Sequence, residues 1–572
     1  MFVRIKPSGN YQYLQIVESR RVGKTVKQKI IGTIGRLDKL LDSGKLDNLA
    51  RSLVRFSEKL KVVEAHKHGD IEAEEAVSIG PALVFDRLWD EMEVRQIITE
   101  LLEGRRFRFS VERAIFLTVL HRLFEPGSDR EADKWKEDYR IDGAEDLELH
   151  HLYRAMGWLG QGLGQGEQSG STGFSARCTK DLIEEKLFGR DRDLFSSLEL
   201  VFFDTTSIYF EGEGGESLGT FGKSKDKRSD LKQMVVGVVL DGQGRPICCE
   251  LWPGNTTDVK TLVPIIGRLK KRFGINSVCV VADRGMISKT TIEELENSEP
   301  PIRYILGVRM RNLKEAKERV MGDEGEYQEI YPEREKATDP SPLQVREVKV
   351  EDRRYIQCLN VEEARKDAAD REAIVGSLKE KLKQGDKSLV GNKGYRRYVQ
   401  KPEEGKHFEI DEQKVKEEER FDGIWILRTN TEFEAEEVAL KYKQLWMVEQ
   451  IFRSLKSILL IRPIFHKLDE TIIGHVFCSF LGLVLIKELQ SRLEAKGKKL
   501  EWKDTLRDLR RLQEVEVRLD SQTYYLRTEL KGNCVDILRA AGVRVPSTVR
   551  QKLADQEAVQ CSATDGNGSC NS

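Results

Sequence analysis

The sequence predicts a multidomain α/β protein in which a helical domain precedes a mixed β-sheet core. Three observations support this fold class. The chain has 572 residues, enough for several hydrophobic cores, and its 39% hydrophobic and 33% charged residues are typical of a globular protein. Residues 76–192 carry helical periodicity. Residues 196–310 instead read in the order β-β-β-α-β-α-β.

The composition excludes several classes of protein. The formal net charge is −1, so any contact with nucleic acid has to come from local basic patches. The longest apolar run, Thr471–Ile486, is short for a membrane span and contains a histidine and two glycines, which favours a buried helix. The N-terminus has no apolar region typical of secretory signals. Nine scattered cysteines without a C-x-x-C pair indicate buried reduced thiols in a cytoplasmic protein. The shortness of the apolar run predicts that the protein has no membrane partner.

The first predicted domain, residues 1–65, is a basic β-hairpin followed by a helix. Two strand-like runs, YQYLQIVES and KTVKQKIIGTIG, flank the turn RRVG. Residues 1–41 contain nine lysines and arginines but only two acidic residues, so the hairpin is a candidate DNA-contacting arm. Arg20 and Arg21 at the turn are its candidate phosphate contacts. The alternative is a solvated two-stranded edge with no role in binding DNA.

Residues 76–192 form the second predicted domain, which is helical and which we expect to bind DNA. The run FSVERAIFLTVLHRLF has a broad apolar face, and EPGSDREADKW interrupts and restarts the helical pattern. A linker near residues 65–75 precedes this domain. The Gly/Ser/Gln-rich segment 161–174 lacks the G-x-G-x-x-G spacing between a strand and a helix, so no dinucleotide site is predicted.

Residues 196–310 form the first part of the predicted core. The run LELVFFD is a short apolar strand that ends on Asp204, and SVCVVAD is a fourth strand that ends on Asp283. Between them, QMVVGVVL and PICCELW are joined by a hairpin connection, and TTDVKTLVPIIGRLKKRF has the pattern of a capped helix. RYILGV is the fifth strand. Strands that are apolar on both faces indicate a sheet covered on both sides.

The segment 311–420 interrupts this pattern. It is dense in charge and contains strand-like pieces and a polar helix, and it is too long for a loop, so we predict an inserted β-rich subdomain. The core resumes over residues 421–495 with the strand GIWILRTN, a helix over 433–459 and a mostly buried helix. Residues 496–572 form a C-terminal region whose polar end is expected to be disordered.

The predicted helix over 433–459 carries an unusual polar face. Tyr442, Glu449 and Lys456 lie at steps of seven and therefore share one face, beside an apolar stripe. Arg453 lies one helical turn beyond Glu449. One interpretation is a solvated row of salt bridges. The other is a metal-binding glutamate with cations placed to hold phosphate.

Three acidic residues occupy positions from which they can converge. The first and fourth strands of a mixed sheet can be central neighbours, so Asp204 and Asp283 can meet, and a helix across that end brings Glu449 to both. Three carboxylates at one point need a compensating cation. Two Mg²⁺ ions, or Mn²⁺ in their place, fit such ligands and can support phosphodiester displacement. Singly, each aspartate has the simpler interpretation of a turn or cap residue.

Several further residues are weaker candidates. Lys225, Arg228 and Lys232 lie in a basic loop after the strand of Asp204, where a DNA-backbone contact and a solvated loop are both open. Arg284, directly after Asp283, is another candidate DNA contact. An exposed Trp252 can stack on an unpaired base, but a core tryptophan is the alternative. We expect the histidines at 466 and 475 to pack or to contact phosphate rather than to bind metal.

The chain resembles DDE transposases of bacterial insertion sequences, in the group with a Tyr-Arg-Glu-Lys signature. The resemblance extends to about residue 550, and the segments that carry it are VFFDTTS, SKDKRSDLKQMVVGVVLDGQGRPI, PGNTTDVKTL, VVADRGM, FDGIWILRTN and YKQLWMVEQIFRSLKS. The signature is Tyr, two residues, Arg, three residues, Glu, six residues, Lys. Tyr442, Glu449 and Lys456 match it, whereas Leu445 stands at the arginine position. Arg453 is our candidate for the missing contact.

This resemblance implies a fold, an activity and partners. The fold is an RNase H-like core with a mixed five-stranded sheet, interrupted by the insertion between the second aspartate and the glutamate. The activity is binding of the terminal inverted repeats, cleavage of the DNA ends and transfer of the 3′-hydroxyl strands to target DNA. Asp204, Asp283 and Glu449 then bind two Mg²⁺ ions. The partners are double-stranded DNA and at least a second copy of the chain in a synaptic complex, associated with the nucleoid in the cytoplasm.

Two other functions remain open from the sequence. The first is an RNase H-like nuclease or resolvase that cuts DNA without joining it, against which the inserted subdomain and the extent of the resemblance argue. The second is a catalytically silent DNA-binding regulator descended from a transposase. The retention of all three acidic residues argues against the regulator, because nothing holds three carboxylates together without metal.

Overall fold

The computed structural model describes residues 2–22, 25–42, 45–54, 72–169, 176–190, 200–275, 278–336, 338–383, 395, 397–400, 408–519 and 522–552. The strands are β1 (Phe2–Ser8), β2 (Tyr11–Val22), β3 (Thr25–Arg36), β4 (Glu72–Ser78), β5 (Leu200–Tyr209), β6 (Gln233–Asp241), β7 (Pro246–Pro253), β8 (Cys279–Ala282), β9 (Arg303–Gly307), β10 (Gln328–Tyr331), β11 (Leu343–Val350), β12 (Arg353–Leu359), β13 (Val399–Gln400), β14 (Glu409–Ile410), β15 (Ile424–Thr429), β16 (Gln513–Leu519), β17 (Gln522–Arg527) and β18 (Val549–Gln551).

The α-helices are α1 (Leu37–Asp42), α2 (Lys45–Val54), α3 (Gly80–Glu91), α4 (Val94–Leu101), α5 (Val111–Phe124), α6 (Asp129–Trp135), α7 (Leu149–Gly160), α8 (Thr179–Arg190), α9 (Leu262–Phe273), α10 (Lys289–Glu296), α11 (Val361–Lys383), α12 (Glu412–Glu419), α13 (Ala435–Lys443), α14 (Trp446–Ser457), α15 (Asp469–Ala495), α16 (Trp502–Arg510) and α17 (Cys534–Ala540). Local sequence accounts for several of their ends. The Ser110 hydroxyl caps α5, Ser128 and Glu131 form a capping box on α6, and Gly274 ends α9 in the left-handed region.

A nine-stranded mixed sheet forms the centre of the molecule. Its strand order is β10-β11-β12-β15-β9-β8-β5-β6-β7. Strands β5, β8 and β9 run parallel, and every other neighbouring pair is antiparallel. The first and fourth strands of the predicted core, β5 and β8, are therefore neighbours, as the sequence predicted. The large mixed sheet with its helices agrees with the α/β class and with an RNase H-like core.

The sheet is larger than the five strands that the sequence predicted. Strand β15 pairs with the free edge of β9, and β12 pairs with β15, so part of the predicted insertion extends the core sheet. Pairing in this way covers the edge that a five-stranded unit leaves exposed at β9. The segment 311–420 also contains the long helix α11 and the small β13–β14 ladder. The segment predicted as an inserted β-rich subdomain thus contains strands, and β10 to β12 extend the central sheet. Its status as a subdomain stays a prediction.

The two faces of the central sheet are covered by different elements. One face of β5 and β6 packs against α9, through residues such as Phe203 and Val239. Alternate residues, such as Phe202 and Val238, lie in the cluster that contains apolar residues of α14 and α15. Side chains of a strand alternate between faces, so each strand position fixes which helices a side chain meets.

The helical region before the sheet is joined to the C-terminal region. Strand β4 pairs with β16 in a four-stranded sheet that also contains β17 and β18. Helix α15 packs against α5 and α7. A Cβ atom on Gly474 of α15 would lie 2.1 Å from the carbonyl oxygen of Met156 in α7, so glycine allows the two helices to approach closely. Residues after 496 thus complete the helical part of the fold.

Helix α15 contains the apolar run that the sequence analysis assigned to the interior. It is long and apolar enough to span a membrane by length and composition, but 72% of its most apolar window is buried within the described structure. It is a core helix, as predicted. The seven described cysteines are buried and free, in agreement with the prediction of reduced thiols. The other two, at positions 561 and 570, lie outside the described residues.

The N-terminal residues form a three-stranded antiparallel sheet, β1-β2-β3, followed by α1 and α2. The predicted hairpin corresponds to β2 and β3, and β1 adds a strand that the sequence analysis did not identify. Arg20 and Arg21 fall at the end of β2, and their side chains lie outside the described part of the structure. Their predicted contact with DNA therefore stays a prediction.

A buried cluster of charged residues joins the helical region to the central sheet. The Arg272 guanidinium on α9 is fully buried and contacts Glu184 at 2.8 Å, Glu185 at 2.7 Å and Glu250 at 2.9 Å. The two first acids belong to α8 and the third to β7. Because a buried charge is costly without partners, this cluster fixes α8 against the sheet.

Candidate functional site

Asp204 lies in the middle of β5, not at its end as the sequence analysis predicted. Strand β6 pairs with β5 along its whole length, and Asp204 stands opposite Val238. The polar residues that follow Asp204, Thr205 to Ser207, remain in the strand and are buried. The parallel neighbour β8 stops earlier, at Ala282. Asp204 is therefore the first residue of β5 beyond the end of β8.

Asp283 follows β8 directly, as predicted. Phe203 pairs with Ala282 in the parallel ladder, so the next residues along the two strands are Asp204 and Asp283. Both follow the parity of Phe202 and Val281, whose side chains lie in the cluster with α14. The register therefore directs both aspartates to the side of the sheet that carries the helix of Glu449.

The predicted single helix over 433–459 is two helices. Helix α13 ends at Lys443 and α14 begins at Trp446. Across the junction, Leu445 N–H donates to the Tyr442 carbonyl at 3.0 Å, and Val448 N–H donates to the Leu445 carbonyl at 3.0 Å. These bonds span three residues instead of four, so the junction is a tighter turn that changes how the two helices face the sheet.

The three predicted catalytic acids line one cavity of about 550 Å³. Asp204 and Asp283 come from adjacent strands, and Glu449 comes from the first turn of α14. The cavity is also lined by Arg284, Gly307, Tyr442, Lys443, Leu445 and Trp446. Residues from three distant segments of the chain, with both anionic and cationic side chains, thus share one open recess.

Tyr442 connects α13 to the second aspartate. Its hydroxyl donates a hydrogen bond to Asp283 Oδ1 at 3.2 Å. Burial raises the pKa of the Tyr442 phenol, and the neighbouring Asp283 carboxylate raises it further, so the phenol keeps its proton. A Cβ atom on Gly307 would lie 2.3 Å from the Tyr442 hydroxyl, so only glycine at the end of β9 admits this side chain.

The environment of Asp204 disfavours its charge. Burial raises the pKa of Asp204 to about 6, and the nearby carboxylates of Asp283 and Asp258 add to the increase. Lys225, whose Nζ lies 3.9 Å from Asp204 Oδ1, and the Thr205 N–H at 2.7 Å oppose this increase. A partly buried carboxylate with two like charges nearby is a favourable ligand for a divalent cation.

Glu449 is exposed on α14, and the ligand atoms of Asp204, Asp283 and Glu449 do not all lie within 4.8 Å of one another. Among the described residues, the group whose ligand atoms all lie within 4.8 Å is Asp129, His466 and His475. The Arg122 guanidinium lies 2.9 Å from His475 Nδ1 and 3.6 Å from Asp129. Arg122 thus already places a positive charge beside Asp129. The three side chains are therefore better explained by the packing role expected for the two histidines than by a bound cation.

The predicted phosphate-binding cations are paired with acidic residues in this DNA-free structure. Lys456 Nζ donates to Asp226 Oδ1 at 2.8 Å, and Arg462 pairs with the other oxygen of Asp226. Burial raises the pKa of Asp226, but Lys456 and Arg462 outweigh it and hold the pKa below its ordinary value.

The basic loop that follows β5 is paired in the same way. Arg228 binds Asp230 and Lys232 binds Glu213 at 2.8 Å. Arg284 and Arg453 are exposed, and Arg284 lines the cavity of the three acids. Contacts of these cations with DNA stay predictions.

Trp252 is buried, with 2% of its surface exposed, and packs against Phe203. The prediction that it stacks on a base was therefore wrong, and the core alternative is correct. The tryptophan with an exposed ring at this site is Trp446, which is 57% exposed and lines the cavity.

Sequence reasoning missed three residues at the site. Trp446 carried a signal, because it is an aromatic residue close to the predicted glutamate. Lys443 lines the cavity, and burial lowers the pKa of its ammonium group. Asp258 binds Lys225 and lies close to Asp204, but it follows β7, and no spacing in the sequence links it to either residue.

The chain matches two transposase family models. Residues 3–66 match the N-terminal domain of IS1634 family transposases, and residues 196–469 match the transposase DDE domain. The chain belongs to the DDE transposases of insertion sequences. The DDE-domain match contains all three acidic residues that line the cavity.

The two other comparisons do not add to this family assignment. No curated protein sequence matches this transposase. The structure of a piggyBac transposase synaptic complex with hairpin DNA matches 75% of this transposase and 79% of the solved chain, at 11% sequence identity and a TM-score of 0.34.

Proposed function

We propose that this transposase binds the terminal inverted repeats of an insertion sequence, cleaves the DNA at both ends and joins the freed 3′-hydroxyl strands to target DNA. The observation that carries the proposal is the common cavity of Asp204, Asp283 and Glu449. Two of these carboxylates are fixed by the register of a parallel strand pair and the third by an adjacent helix. Three separate segments that meet in one recess favour a catalytic site over three unrelated caps.

The residues present fit a pair of hard divalent cations. Asp204, Asp283 and Glu449 offer only carboxylate oxygens, which suit Mg²⁺ and Mn²⁺ better than zinc. Burial is the main cause of the raised pKa of Asp204, about 6, and the carboxylates of Asp283 and Asp258 add to it; a bound cation would offset both effects by stabilising the charged form. When bound, two such ions supply Lewis-acid activation of the attacking hydroxyl and stabilisation of the leaving oxygen.

The surrounding side chains have separate roles in this proposal. Tyr442 orients Asp283 through its hydrogen bond. Arg284 and Lys443 line the cavity and hold the phosphate that is cut. Lys456 and Arg462 hold the adjacent DNA backbone after exchanging Asp226 for phosphate oxygens. The exposed Trp446 supports a base beside the cut by stacking.

The remaining DNA contacts lie further from the cavity. Arg453, on the exposed surface of α14, takes the place of the arginine that the signature lacks. Lys225, Arg228 and Lys232 line the path of the DNA backbone after β5. The N-terminal sheet, with Arg20 and Arg21, and the helical region bind the terminal repeat away from the cut.

The proposed partners are two DNA ends, a target duplex and a second copy of the chain. Bringing two ends together requires at least a dimer when DNA is bound. The proposed location is the cytoplasm, at the nucleoid.

Incubation of the purified chain with duplexes that carry its element's ends, with Mg²⁺ or Mn²⁺ and a target plasmid, tests the proposal. We expect cleavage at the ends and joined products, and a loss of about 100-fold or more for Asp204→Asn, Asp283→Asn or Glu449→Gln. Asp352→Asn, an exposed carboxylate in the turn between β11 and β12, is the matched control and is expected to retain cleavage.

The products separate the proposal from its alternatives. Cleavage without joining indicates a nuclease or resolvase. Mg²⁺-independent binding with no product indicates a silent regulator. Full activity of the Asp204→Asn protein removes the assigned site.

A further inference from the structure

A fourth carboxylate, that of Asp258, lies beside the two aspartates of the site. Asp258 begins a short turn after β7. This turn packs against the turn that follows Asp283. A Cβ atom on Gly285 would lie 3.5 Å from Asp258 Oδ2 and 3.9 Å from Asp283 Oδ2, so the two carboxylates flank this glycine. The Asp258 side chain is 30% exposed and therefore accessible from the solvent.

Asp258 belongs to a hydrogen-bonded unit with Thr205 and Lys225. The Thr205 hydroxyl donates to Asp258 Oδ1 at 2.7 Å. Lys225 Nζ donates to that hydroxyl at 3.0 Å and to the Thr205 carbonyl at 2.7 Å. The Thr205 hydroxyl uses both its donor and its acceptor, because it donates to the Asp258 carboxylate and accepts from the Lys225 ammonium group.

This unit holds the ammonium group of Lys225 between two acids. Lys225 Nζ lies 3.4 Å from Asp258 Oδ2 and 3.9 Å from Asp204 Oδ1. Its hydrogen bonds go to Thr205, and its closer ion pair is with Asp258. Lys225 is therefore fixed beside Asp204 without depending on Asp204 for its position.

We propose that Asp258 is a positioning residue of the cation site, which neutralises Lys225 and thereby sets the affinity of Asp204 and Asp283 for a divalent cation. The inference rests on the proposed function, because it takes these two aspartates as ligands of that cation. A fixed ammonium group beside a ligand repels an arriving divalent ion, and an adjacent carboxylate offsets this repulsion. Without Asp258, the charge of Lys225 is compensated by Asp204 alone and competes with the cation.

A direct role for Asp258 as a cation ligand is the alternative, and it makes a different prediction. If Asp258 acts through Lys225, its removal matters only while Lys225 is present. If Asp258 binds the cation itself, its removal weakens binding with or without Lys225. A double-mutant cycle on the two residues therefore separates the two roles.

The experiment is a Mn²⁺ titration of the full chain without DNA, in which the electron paramagnetic resonance signal measures the concentration of free Mn²⁺. Asp258→Asn is expected to weaken binding about tenfold, the usual size of an effect from residues that support metal ligands. Lys225→Met is expected to tighten binding. Adding Asp258→Asn to Lys225→Met is expected to change the dissociation constant by less than about threefold.

Asp230→Asn is the matched control, because Asp230 is an exposed carboxylate that pairs with Arg228, and we expect it to bind Mn²⁺ as the unmodified chain does. Circular dichroism of each variant checks that it folds. An unchanged affinity in Asp258→Asn overturns the inference, and so does an equal loss in the presence and absence of Lys225. If the unmodified chain binds no Mn²⁺ that depends on Asp204 and Asp283, the proposed function fails as well. If it binds Mn²⁺ normally and Asp258→Asn changes nothing, only the inference fails.

Discussion

The hydroxyl of Tyr442 donates a hydrogen bond to Asp283 Oδ1 across 3.2 Å. The two residues are far apart in the chain and belong to different elements, α13 and the turn after β8. The contact orients the Asp283 carboxylate through Oδ1, and among the described residues no hydrogen bond occupies Oδ2, which can therefore accept a cation. The signature tyrosine thus acts on an aspartate of the proposed site and not on the glutamate with which it shares the signature.

Replacing Tyr442 with phenylalanine is expected to lower DNA-end cleavage by about 10- to 100-fold, because Asp283 loses the group that orients it. Mn²⁺ affinity measured without DNA is expected to fall in parallel. Tyr331→Phe, on the edge strand β10 of the same sheet, is the control and is expected to change neither quantity. Normal cleavage by Tyr442→Phe would show that the hydrogen bond has no role in the reaction.

Gly307→Ala is expected to displace Tyr442, because the new methyl group would lie 2.3 Å from the tyrosine hydroxyl. The predicted result is a loss of cleavage at least as large as that of Tyr442→Phe, with the chain still folded. Gly267→Ala in α9 is the control, since a Cβ atom there meets nothing within 4 Å. Cleavage kinetics of both variants provide the measurement, and an active Gly307→Ala protein contradicts the close approach.

The raised pKa of Asp204 predicts a pH-dependent stability in the metal-free protein. The pKa rises from 3.8 to about 6 because the carboxyl group is buried. The folded state therefore favours the protonated form, and this contribution to stability is full below about pH 4 and is lost as the pH rises through about 6. The corresponding free energy is about 3 kcal/mol.

Asp204→Asn, which removes the charge, is expected to raise the melting temperature in EDTA more at about pH 7.5 than at about pH 4.5. Thermal unfolding of both proteins at the two pH values is the measurement. Asp230→Asn, an exposed control, is expected to give the same small shift at both. An equal gain in melting temperature for Asp204→Asn at both pH values would mean that burial does not disfavour the charged form of the Asp204 carboxyl group.

Asp226→Asn is expected to tighten binding of end DNA, because it releases Lys456 and Arg462 from their carboxylate partner. Each additional phosphate contact steepens the dependence of log K on log salt by about 0.9. Fluorescence anisotropy at several salt concentrations measures both effects. Asp352→Asn, in the exposed turn between β11 and β12, removes the same charge at a distance and is the control. Weaker DNA binding by Asp226→Asn contradicts the proposed exchange of carboxylate for phosphate.

The sequence predicted the position of Asp283 but not that of Asp204, and the difference has a physical cause. Strand β8 is buried and apolar up to its last residue, so its end is visible in the sequence. Strand β5 continues through Thr205 and Ser207, whose hydroxyl groups are satisfied by Asp258 and by the backbone of Lys225. Polar residues within a buried strand look like a strand end when their partners are distant in sequence.

The sequence also did not predict the tight junction between α13 and α14. The apolar stripe continues through Leu445 at helical spacing, so periodicity predicts one uninterrupted helix. The turn that separates the two helices comes directly after Tyr442, whose hydroxyl contacts Asp283. Asp258 was missed for a related reason, because its partners Thr205 and Lys225 come from other segments of the chain.

The buried charge cluster around Arg272 makes a prediction about stability. Arg272→Met removes the partner that Glu184, Glu185 and Glu250 share, and leaves their carboxylates buried with fewer cations. Removing one partner of a buried ion pair costs about 3–5 kcal/mol, so we expect a clear loss in the free energy of unfolding by denaturant. Arg319→Met is the control, because its ion pair with Glu351 is exposed and we expect no measurable change.

The pH dependence of the Arg272→Met protein tests the cause of the expected loss. Burial raises the pKa of Glu184, and Arg272 is among the cations that oppose this increase. Without Arg272, protonation of these acids relieves the unpaired charge, so the variant is expected to regain stability relative to the unmodified chain as the pH falls toward 4.5, the ordinary pKa of a glutamate. A destabilisation that does not change with pH would instead indicate that the lost packing of the arginine side chain, and not the unpaired carboxylates, is responsible.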